Sequence, residues 1–493
     1  MTDRKTHPVM AAMAAVFLLL VPAVLASADG GSVTPYKTEV GKPCDVYKVT
    51  ADGKDVEVKN FWKNRRMARL GFDGEVTVSI SAKGKPVKAY SIRPWWVEHK
   101  AEVEGDKLKI TLKKPADLRV VVNDNPALAL FTYPTYKKPS GKDVHSLADE
   151  KGVDATGKTD QTAILQAAID RIHKDGGGTL YVPPGVYGGS KQGELFFKSN
   201  VALNLHPEAT IRQIRFLLND VENVKLVGHG VLDFTGSPRG NQAGCLRGND
   251  ANNVRIEHLT SLNFDYNWNT RFDRSRNVLI QHYRVFGGKD GINPVDSQKI
   301  TIRHVYIVTM DDCIASKSFS QGRRKKTEAV SDILAEYGML QCIKYGALKI
   351  GTETNANHFR NITYRNMDIV SAMRVAIIQL RDGAEVSNIT FENITCDYAF
   401  GRAIDFVIQK RKGLGTIHDV LVKNVNLKKI TRKEGKTPRV AGFDDAHKSS
   451  NVTFENLVVE GKQITKPEQA DFELKHAENI RFVTTPQQDD QEK

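Results

Sequence analysis

The chain has 493 residues, of which 40% are hydrophobic, and a formal net charge of +13 at pH 7. This length predicts two or three domains, or one long repeat domain with a smaller neighbour, and the hydrophobic content excludes wholesale disorder. A basic charge balance is typical of proteins that meet nucleic acid, a membrane surface or an acidic polymer, and is equally typical of a generally basic solvated surface.

The first 28 residues have the features of a secretory signal peptide. Arg4 and Lys5 precede an apolar run over 11–25, and the Ala-Ser-Ala of 26–28 fits a cleavage site. The alternative is a membrane anchor, but a run of about 15 residues is short for a span, which takes about 20. We therefore expect a secreted or periplasmic protein with no membrane and no nucleic-acid partner, and the oligomeric state stays open.

The segment after the signal peptide predicts a small β domain. Apolar and polar residues alternate over 75–84, 107–115 and 117–124, and short turns separate these runs. Several short strands at this spacing predict a β-sandwich over 36–133. The following segment, 134–145, is rich in proline and lysine and predicts a linker.

A short helix and a long repeat are expected next. Ile164, Ala167, Ala168 and Ile172 fall at helical spacing, on a helix too weakly apolar to stand alone, so we expect it to cover the end of a larger element. Nine similar β-type segments then follow, most of them at intervals of about 22 to 32 residues. They start at Asn223, Asn253, Asn277, Lys299, Asn361, Asn388, Asp419, Asn451 and Asn479.

Short strands at a fixed period, without intervening helices, are typical of β-solenoids. The predicted fold class is therefore all-β: a right-handed parallel β-helix over 146–483, preceded by the β-sandwich. Residues 484–493 are expected to form a disordered tail.

Three aspartates stand out against this repeat. Asp290 precedes Asp311 and Asp312 by about one short repeat, and successive coils of a parallel β-helix stack about 4.8 Å apart. Stacking would bring the three carboxyl groups together, where their mutual repulsion should raise at least one pKa, as an acid beside a base requires. The alternative is that they are ordinary turn aspartates bonded to the backbone.

The same residues resemble the polygalacturonases, glycoside hydrolase family 28, and their clan relatives of family 49, the dextranases and isopullulanases. The family pattern is Asn-Thr-Asp-Gly followed one coil later by Gly-Asp-Asp-Cys. This chain has GKDG at 288–291 and MDDC at 310–313, and DDCIASKS at 311–318 is similar to the family's DDCIAIKS. The sandwich followed by a β-helix is similar to the architecture of the dextranases.

The resemblance implies an inverting hydrolysis of a polysaccharide. Asp311 would be the general acid, and Asp290 and Asp312 the bases that hold and deprotonate water, with about 6.5–9.5 Å between acid and base carboxyls. It also implies a disulfide between Cys313 and Cys342. No CxxC pair occurs among the five cysteines, and no metal or other cofactor is expected.

The chain departs from the polygalacturonase pattern around the substrate. Gly346 stands at the position of the family histidine, and Ile377 and Gln379 stand at those of the Arg-x-Lys that binds the galacturonate carboxylate. Four other residues are candidate sugar contacts, and a run of four consecutive cations is a candidate binding site for a polyanion. The sugar contacts are Trp268, Lys317, Lys349 and Arg381, and the cations are Arg323, Arg324, Lys325 and Lys326.

The sequence therefore predicts a glycoside hydrolase acting on an acidic plant or algal polysaccharide. Three alternatives stay open: a polysaccharide lyase on the same fold, a hydrolase of a neutral, dextran-like α-glucan, and a non-catalytic glycan-binding protein.

Overall fold

The structure is a computed structural model that describes residues 32–62, 65–236, 243–319 and 327–485. The predicted signal peptide and the four cations 323–326 lie outside the described residues, as does the predicted tail from residue 486 onward. In the described part, no helix is long and apolar enough to cross a membrane.

The N-terminal domain contains twelve strands in two facing sheets. One sheet has the order β2-β5-β6-β12-β11-β8, with β1 paired to β6, and the other has the order β4-β3-β7-β10-β9. The strands are β1 Val33–Pro35, β2 Lys42–Pro43, β3 Tyr47–Ala51, β4 Lys54–Val56, β5 Val58–Phe61, β6 Arg65–Phe72, β7 Val76–Ala82, β8 Tyr90–Arg93, β9 Lys100–Glu104, β10 Lys107–Leu112, β11 Asp117–Val122 and β12 Leu128–Tyr133.

Alternation of apolar and polar residues produces this sandwich. In β7, Val76, Val78 and Ile80 are fully buried and the residues between them are partly exposed, which is the period-2 pattern of a strand with one face on a core. All neighbouring strands run antiparallel except β6 and β12, which are parallel.

The second domain contains the remaining thirty strands, in one stack of parallel coils. Its first half comprises β13 Val144–Ser146, β14 Thr156–Asp160, β15 Gly178–Val182, β16 Gly185–Phe196, β17 Val201–Leu205, β18 Ala209–Asn219, β19 Glu222–Gly228, β20 Val231–Asp233, β21 Leu246–Asn249, β22 Asn252–Glu257, β23 Thr260–Asn263, β24 Thr270–Asp273, β25 Arg276–Gln281, β26 Arg284–Gly287, β27 Ile292–Val295 and β28 Gln298–Thr309. Its second half comprises β29 Ile314–Ser318, β30 Ala329–Cys342, β31 Gly346–Thr354, β32 His358–Ala372, β33 Arg374–Asp382, β34 Glu385–Ala399, β35 Ile404–Gly413, β36 Thr416–Leu427, β37 Arg439–Ala441, β38 Ser449–Glu455, β39 Val458–Val459, β40 Lys462–Gln463, β41 Glu473–Lys475 and β42 Ala477–Val483.

Each coil contributes to three sheets. In one coil, β25, β26 and β27 follow each other, and they stack on the first half of β28, on its second half and on β29 of the next coil. We call these the first, second and third sheets. Only the β39–β40 pair in this stack is antiparallel among the described strands. This arrangement, together with the solved structures compared below, confirms the predicted all-β fold with a right-handed parallel β-helix.

One α-helix, α1 Thr162–Lys174, covers the N-terminal end of the coil core, as expected from its weak apolar face. Its buried face consists of Leu165, Ala168, Ile169 and Ile172, so it is rotated from the predicted face: Ile164 is only partly buried and Ala167 is exposed. Two short 3-10 helices, Leu147–Asp149 and Pro467–Ala470, also lie within the described residues.

The repeated asparagines sit at a sharp bend near the start of the strands of the first sheet. Asn253, Asn361, Asn388 and their counterparts have positive φ, a conformation that asparagine tolerates better than most residues. Their side chains are linked from coil to coil: Asn388 Nδ2 donates to Asn361 Oδ1 at 2.8 Å. Each turn is therefore stabilised by the turn below it, which explains the period seen in the sequence.

A second column of positive φ lies between the first and second sheets. Here the side chains of His258, His282, His304 and Tyr337 stack in neighbouring coils, with ring centroids 4.5, 4.9 and 5.0 Å apart and nearly parallel planes. In later coils asparagine occupies the column, beginning with Asn366.

The sandwich packs on the outer face of the second sheet. Apolar and aromatic side chains of both domains form one buried cluster, which includes Phe61 and Phe131 of the sandwich and Phe286 and Met339 of the β-helix. Arg284 of β26 lies beneath it and donates from Nη2 to Asp117 Oδ1 of the sandwich at 2.7 Å. The interface thus combines buried apolar area with a buried ion pair, and the two domains form a single packed unit.

Candidate active site

Coil stacking brings the three aspartates together at the turn between the second and third sheets. The backbone N–H of Asp311 donates to Lys289 O at 2.6 Å, and that of Gly291 donates to Asp312 O at 2.9 Å. One carboxylate oxygen from each of Asp290, Asp311 and Asp312 lies within 4.8 Å of the others. The predicted proximity therefore holds, and these aspartates are not separate turn residues.

The three carboxyl groups differ in exposure. Asp290 and Asp312 are 1% and 2% exposed, and Asp311 is half-buried. Burial, assisted by the charges of Asp312 and Asp311, raises the pKa of Asp290 to about 6 although Lys317 opposes the effect. Burial and the charge of Asp312 also raise the pKa of Asp311. A protonated carboxyl beside ionised ones is the condition for acid–base catalysis near neutral pH.

Two buried lysines pair with the two buried aspartates. Lys317 Nζ donates to Asp290 Oδ2 at 2.6 Å and lies 3.6 Å from Asp312 Oδ2, and Lys349 Nζ donates to Asp312 Oδ2 at 2.9 Å. Burial alone would lower the pKa of Lys317, but the carboxylates of Asp290 and Asp312 raise it above its ordinary value. Both lysines, which the sequence predicts as possible sugar contacts, neutralise the aspartates.

The remaining oxygen of each buried aspartate has no protein partner. Asp290 Oδ1 and Asp312 Oδ1 are both buried and accept no hydrogen bond, and neither the Nδ2 donor nor the Oδ1 acceptor of Asn293, three residues after Asp290, has a partner. Gly346 keeps this region open, because a Cβ there would lie 3.0 Å from Asp312 Oδ1. Buried polar atoms are almost always hydrogen-bonded, so these unpartnered atoms mark where water or substrate binds.

Trp268 does not have the role considered from the sequence. It is fully buried, with Lys317 Nζ 4.1 Å from its ring centroid and Arg271 5.3 Å away on the same ring system. The cationic side chains cover the ring, so it cannot stack on a sugar and instead supports the lysine that holds Asp290.

Tyr266, two residues earlier, is the aromatic side chain at the mouth of the site. It is 52% exposed, its hydroxyl lies 3.4 Å from Asp311 Oδ2, and the ammonium groups of Lys289 and Lys344 lie 5.4 and 5.7 Å from its ring centroid. Sequence reasoning missed it. The available signal was its position about one coil before Lys289, which is the same spacing that linked the aspartates.

The disulfide implied by the family resemblance is absent, and all five cysteines are free thiols. Cys313 and Cys342 are both buried, but their sulfurs have different partners: Cys342 Sγ lies 2.8 Å from Asp311 O, and Cys313 Sγ lies 3.3 Å from Thr309 Oγ1. Burial raises the pKa of the Cys313 thiol to about 12. The chain behind Asp311 and Asp312 is therefore held by hydrogen bonds of the thiols.

The structure does not bring Arg381 to the aspartates. It lies on β33, where Ile377 is the partner of Lys349, and four residues along a strand correspond to about 13 Å. Gln379, at a position of the family's carboxylate-binding motif, accepts a hydrogen bond from Tyr345 at 3.0 Å and donates to Asp405 at 3.1 Å. This position therefore offers substrate a neutral, already bonded amide.

Comparison with known proteins identifies the family of the chain. The model of glycosyl hydrolases family 28 matches residues 190–476, more than half of the chain. Two curated proteins match over short stretches: a probable polygalacturonase of Vitis vinifera, 40% identical over 70 residues, and alginate lyase 7 of Azotobacter vinelandii, 53% identical over 55 residues. These stretches cover 13% and 10% of this chain, and only 14% and 6% of those proteins.

Solved structures share the fold at low sequence identity. An exopolygalacturonase of Thermotoga maritima, 20% identical, has a TM-score of 0.56 and covers 71% of this chain and 94% of its own. Dex49A of Penicillium minioluteum, 13% identical, has a TM-score of 0.61 and covers 91% of this chain and 96% of its own. The family match leads to one conclusion: the chain belongs to glycosyl hydrolases family 28.

Proposed function

We propose that the protein hydrolyses an acidic polysaccharide with inversion of configuration, using Asp311 as general acid and Asp290 with Asp312 to activate water. The observation that carries the proposal is the pair of unpartnered, buried oxygens, Asp290 Oδ1 and Asp312 Oδ1. The other oxygen of each carboxylate is held by an ammonium group. One water molecule has two O–H groups to donate, and these two oxygens are suited to accept them.

Asp311 fits the role of the acid for three reasons. It is the most exposed of the three, its raised pKa favours the protonated form as that of Asp290 also does, and, unlike Asp290 and Asp312, it has no hydrogen bond from Lys317 or Lys349 that would favour the ionised form. Its proton passes to the glycosidic oxygen while water, deprotonated by the paired carboxylates, attacks the anomeric carbon from the opposite side. Tyr266 lies beside Asp311 at the entrance, where a sugar ring of the leaving group would pack.

The spacing of the carboxylates requires a choice between two stereochemical courses. Oxygens no more than 4.8 Å apart are closer than the 6.5–9.5 Å typical of inverting enzymes, and spacing alone would favour retention. Retention needs a carboxylate that reaches the anomeric carbon, whereas Asp290 and Asp312 are buried and fixed by lysines. For this reason we propose inversion, and proton NMR of the first-formed product tests it.

The charges at the entrance support an acidic substrate. Lys289 and Lys344 flank the exposed ring of Tyr266, and they offer cations where the family's carboxylate-binding motif is absent. A neutral dextran-like substrate would gain nothing from them. The basic segment 323–326 stays a proposed contact for the same polymer, and the N-terminal segment a proposed export signal, which N-terminal sequencing of the secreted protein tests.

A lyase on the same fold is the second candidate, favoured by the short match to alginate lyase 7. A lyase needs a neutral base, but the raised pKa of Lys317 keeps this side chain protonated at neutral pH. A lyase product would absorb in the ultraviolet because its new chain end is unsaturated, whereas a hydrolase product would not.

The test combines substrates and variants. The enzyme is incubated with acidic polysaccharides and with dextran, and the products are analysed by mass and absorbance. Asp311→Asn should abolish hydrolysis with an unchanged thermal midpoint, and Asp290→Asn and Asp312→Asn should each reduce it severely. Wild-type turnover by Asp311→Asn would contradict the assignment of the acid. Hydrolysis of dextran but not of the acidic polysaccharides would contradict the substrate class.

A further inference from the structure

We infer a second, non-catalytic saccharide-binding site in the cavity between the sandwich and the β-helix. The cavity has a volume of about 340 Å³, near the lower end of small-ligand sites. Two sandwich segments, 94–98 and 113–117, form one wall. His282, His304, Val305, Tyr337 and Met339 of the β-helix form the other.

Planar rings dominate the lining. Trp96 meets Tyr337 at 5.8 Å and 72°, and Tyr337 stacks on His304, which in turn stacks on His282. Outside the cavity, Trp95 is 55% exposed and nearly perpendicular to Trp96 at 5.3 Å. Rings meeting at such angles form a corner against which the apolar C–H faces of a pyranose can pack while its hydroxyls remain in water.

The free charges at the cavity are two lysines and one glutamate, which leaves a net positive charge. Lys113 and Lys114 are exposed and form no ion pair with any residue of the described ranges. Asp117 is already engaged by Arg284, which leaves Glu98 as the one unengaged carboxylate in the lining. Burial lowers the pKa of His282 to about 2 and also lowers that of His304, so both present neutral rings. Two such lysines can pair with an anionic group, and in an acidic saccharide this group is the sugar carboxylate.

This cavity is separate from the catalytic site. It opens beside the turn that enters the second sheet, whereas the aspartates lie in the turn that leaves it. Six residues of extended chain, from Val305 to Asp311, correspond to about 20 Å. The sandwich stands on the sheet between them, so the ligand is a second stretch of polymer. That the ligand is acidic rests on the proposed function.

Fluorine NMR distinguishes the two sites in one sample. The chain has four tryptophans, Trp62, Trp95, Trp96 and Trp268, and single Trp→Phe variants assign their 5-fluorotryptophan signals. The inactive Asp311→Asn protein is titrated with an oligogalacturonate and, separately, with a neutral gluco-oligosaccharide of equal length. Binding at the aspartates should change the chemical shift of Trp268, because Lys317 contacts both its ring and Asp290. Binding in the cavity should change the chemical shift of Trp96, and the two shifts should saturate at different ligand concentrations.

Matched charge variants test the cavity. Lys113→Ser with Lys114→Ser should weaken the Trp96 response by about tenfold or more. Lys48→Ser with Lys107→Ser removes the same charge from exposed sandwich strands outside the cavity and should leave the response unchanged. When each lysine pair is replaced in the enzyme that retains Asp311, both variants should hydrolyse short oligosaccharides at the wild-type rate.

The outcomes separate this proposal from the catalytic one. A Trp96 response to the acidic ligand that depends on Lys113 and Lys114 supports the site even if the wild type hydrolyses nothing. A response of Trp268 alone overturns it, and so does equal weakening by the control pair. Equal Trp96 responses to the neutral and acidic ligands overturn the acidic ligand class.

Discussion

Replacing Lys317 by methionine tests how the cluster sets the protonation of Asp290, its proposed base. The ammonium group lies 2.6 Å from Asp290 Oδ2 and is 4% exposed, so the substitution removes a charge from a buried pair while keeping a long apolar side chain. At this distance the Coulomb energy is about 6 kcal/mol for an effective dielectric constant of about 20. Removing one partner of a buried pair typically costs about 3–5 kcal/mol.

The loss appears as a displaced pH–activity profile. Asp290 must be ionised to act as base, and its pKa is about 6 with Lys317 present. A loss of about 3 kcal/mol, at about 1.36 kcal/mol per pH unit, moves the ascending limb of kcat/KM up by about two pH units. At pH 6 kcat/KM should therefore fall about fifty-fold, with part of the loss recovered at alkaline pH.

Stability should change in the same sense. A carboxyl with a folded pKa above its unfolded value of about 3.9 contributes stability at low pH that is lost as pH rises through the folded pKa. In Lys317→Met the folded pKa of Asp290 is higher, so the loss of stability continues to higher pH. The thermal midpoint of the variant should therefore lie further below that of the wild type at pH 8 than at pH 5. Lys225→Met, at an exposed lysine of β19, is the control. An ascending limb that coincides with that of the wild type would refute this account of Asp290.

Three further predictions concern other parts of the molecule. Tyr266→Phe, which removes the hydroxyl near Asp311, should lower kcat by less than tenfold, and Tyr266→Ala should also raise KM; equal kinetics of both with the wild type would show that the ring does not bind substrate. Gly346→Ala should reduce activity strongly with little change in thermal midpoint, because the new Cβ crowds Asp312 Oδ1 at 3.0 Å whereas its closest contact, the Ile377 side chain, can move; unchanged kcat/KM would contradict this. Burial, assisted by Arg284 and His229, lowers the pKa of His258 to about 3, so the neutral ring contributes stability that is fully present above pH 6.5 and is lost as pH falls towards 3. The shift corresponds to a contribution on the order of 5 kcal/mol. His258→Asn, which keeps the positive φ, should make the free energy of unfolding less dependent on pH over this range in chemical denaturation.

The aspartate cluster could be predicted because its spacing equals one coil. Once the asparagine period indicates stacked coils, the positions of Asp290 and Asp311 follow from the register, which the backbone bonds of 289–291 to 311–312 reproduce. The sequence predicts that Lys317 belongs to the site, but it does not predict the ion pair of Lys317 with Asp290. Its side chain reaches back to the preceding coil, and the direction of a long side chain is not contained in sequence spacing.

The errors have a common physical cause. Trp268 was considered a sugar platform because an aromatic residue near a carboxylate is typical of such sites, but the cations of Arg271 and Lys317 cover its ring. The face of α1 was misjudged because two sets of residues satisfy helical spacing, and packing on the coil end chose the one with Leu165 and Ile169. The cavity near Trp96 could not be predicted from the sequence, because the residues that line it are far apart along the chain.

The apolar interface between the domains also constrains how the chain folds during synthesis. The sandwich is made first, yet the face that includes Phe131 and Tyr133 is covered only by coils that extend to Met339, about 200 residues later. At roughly 5–20 residues per second this interval lasts roughly 10–40 seconds. During it the aromatic face is open to association with other chains, so the yield of folded protein depends on translation speed and chaperone supply as well as on equilibrium stability.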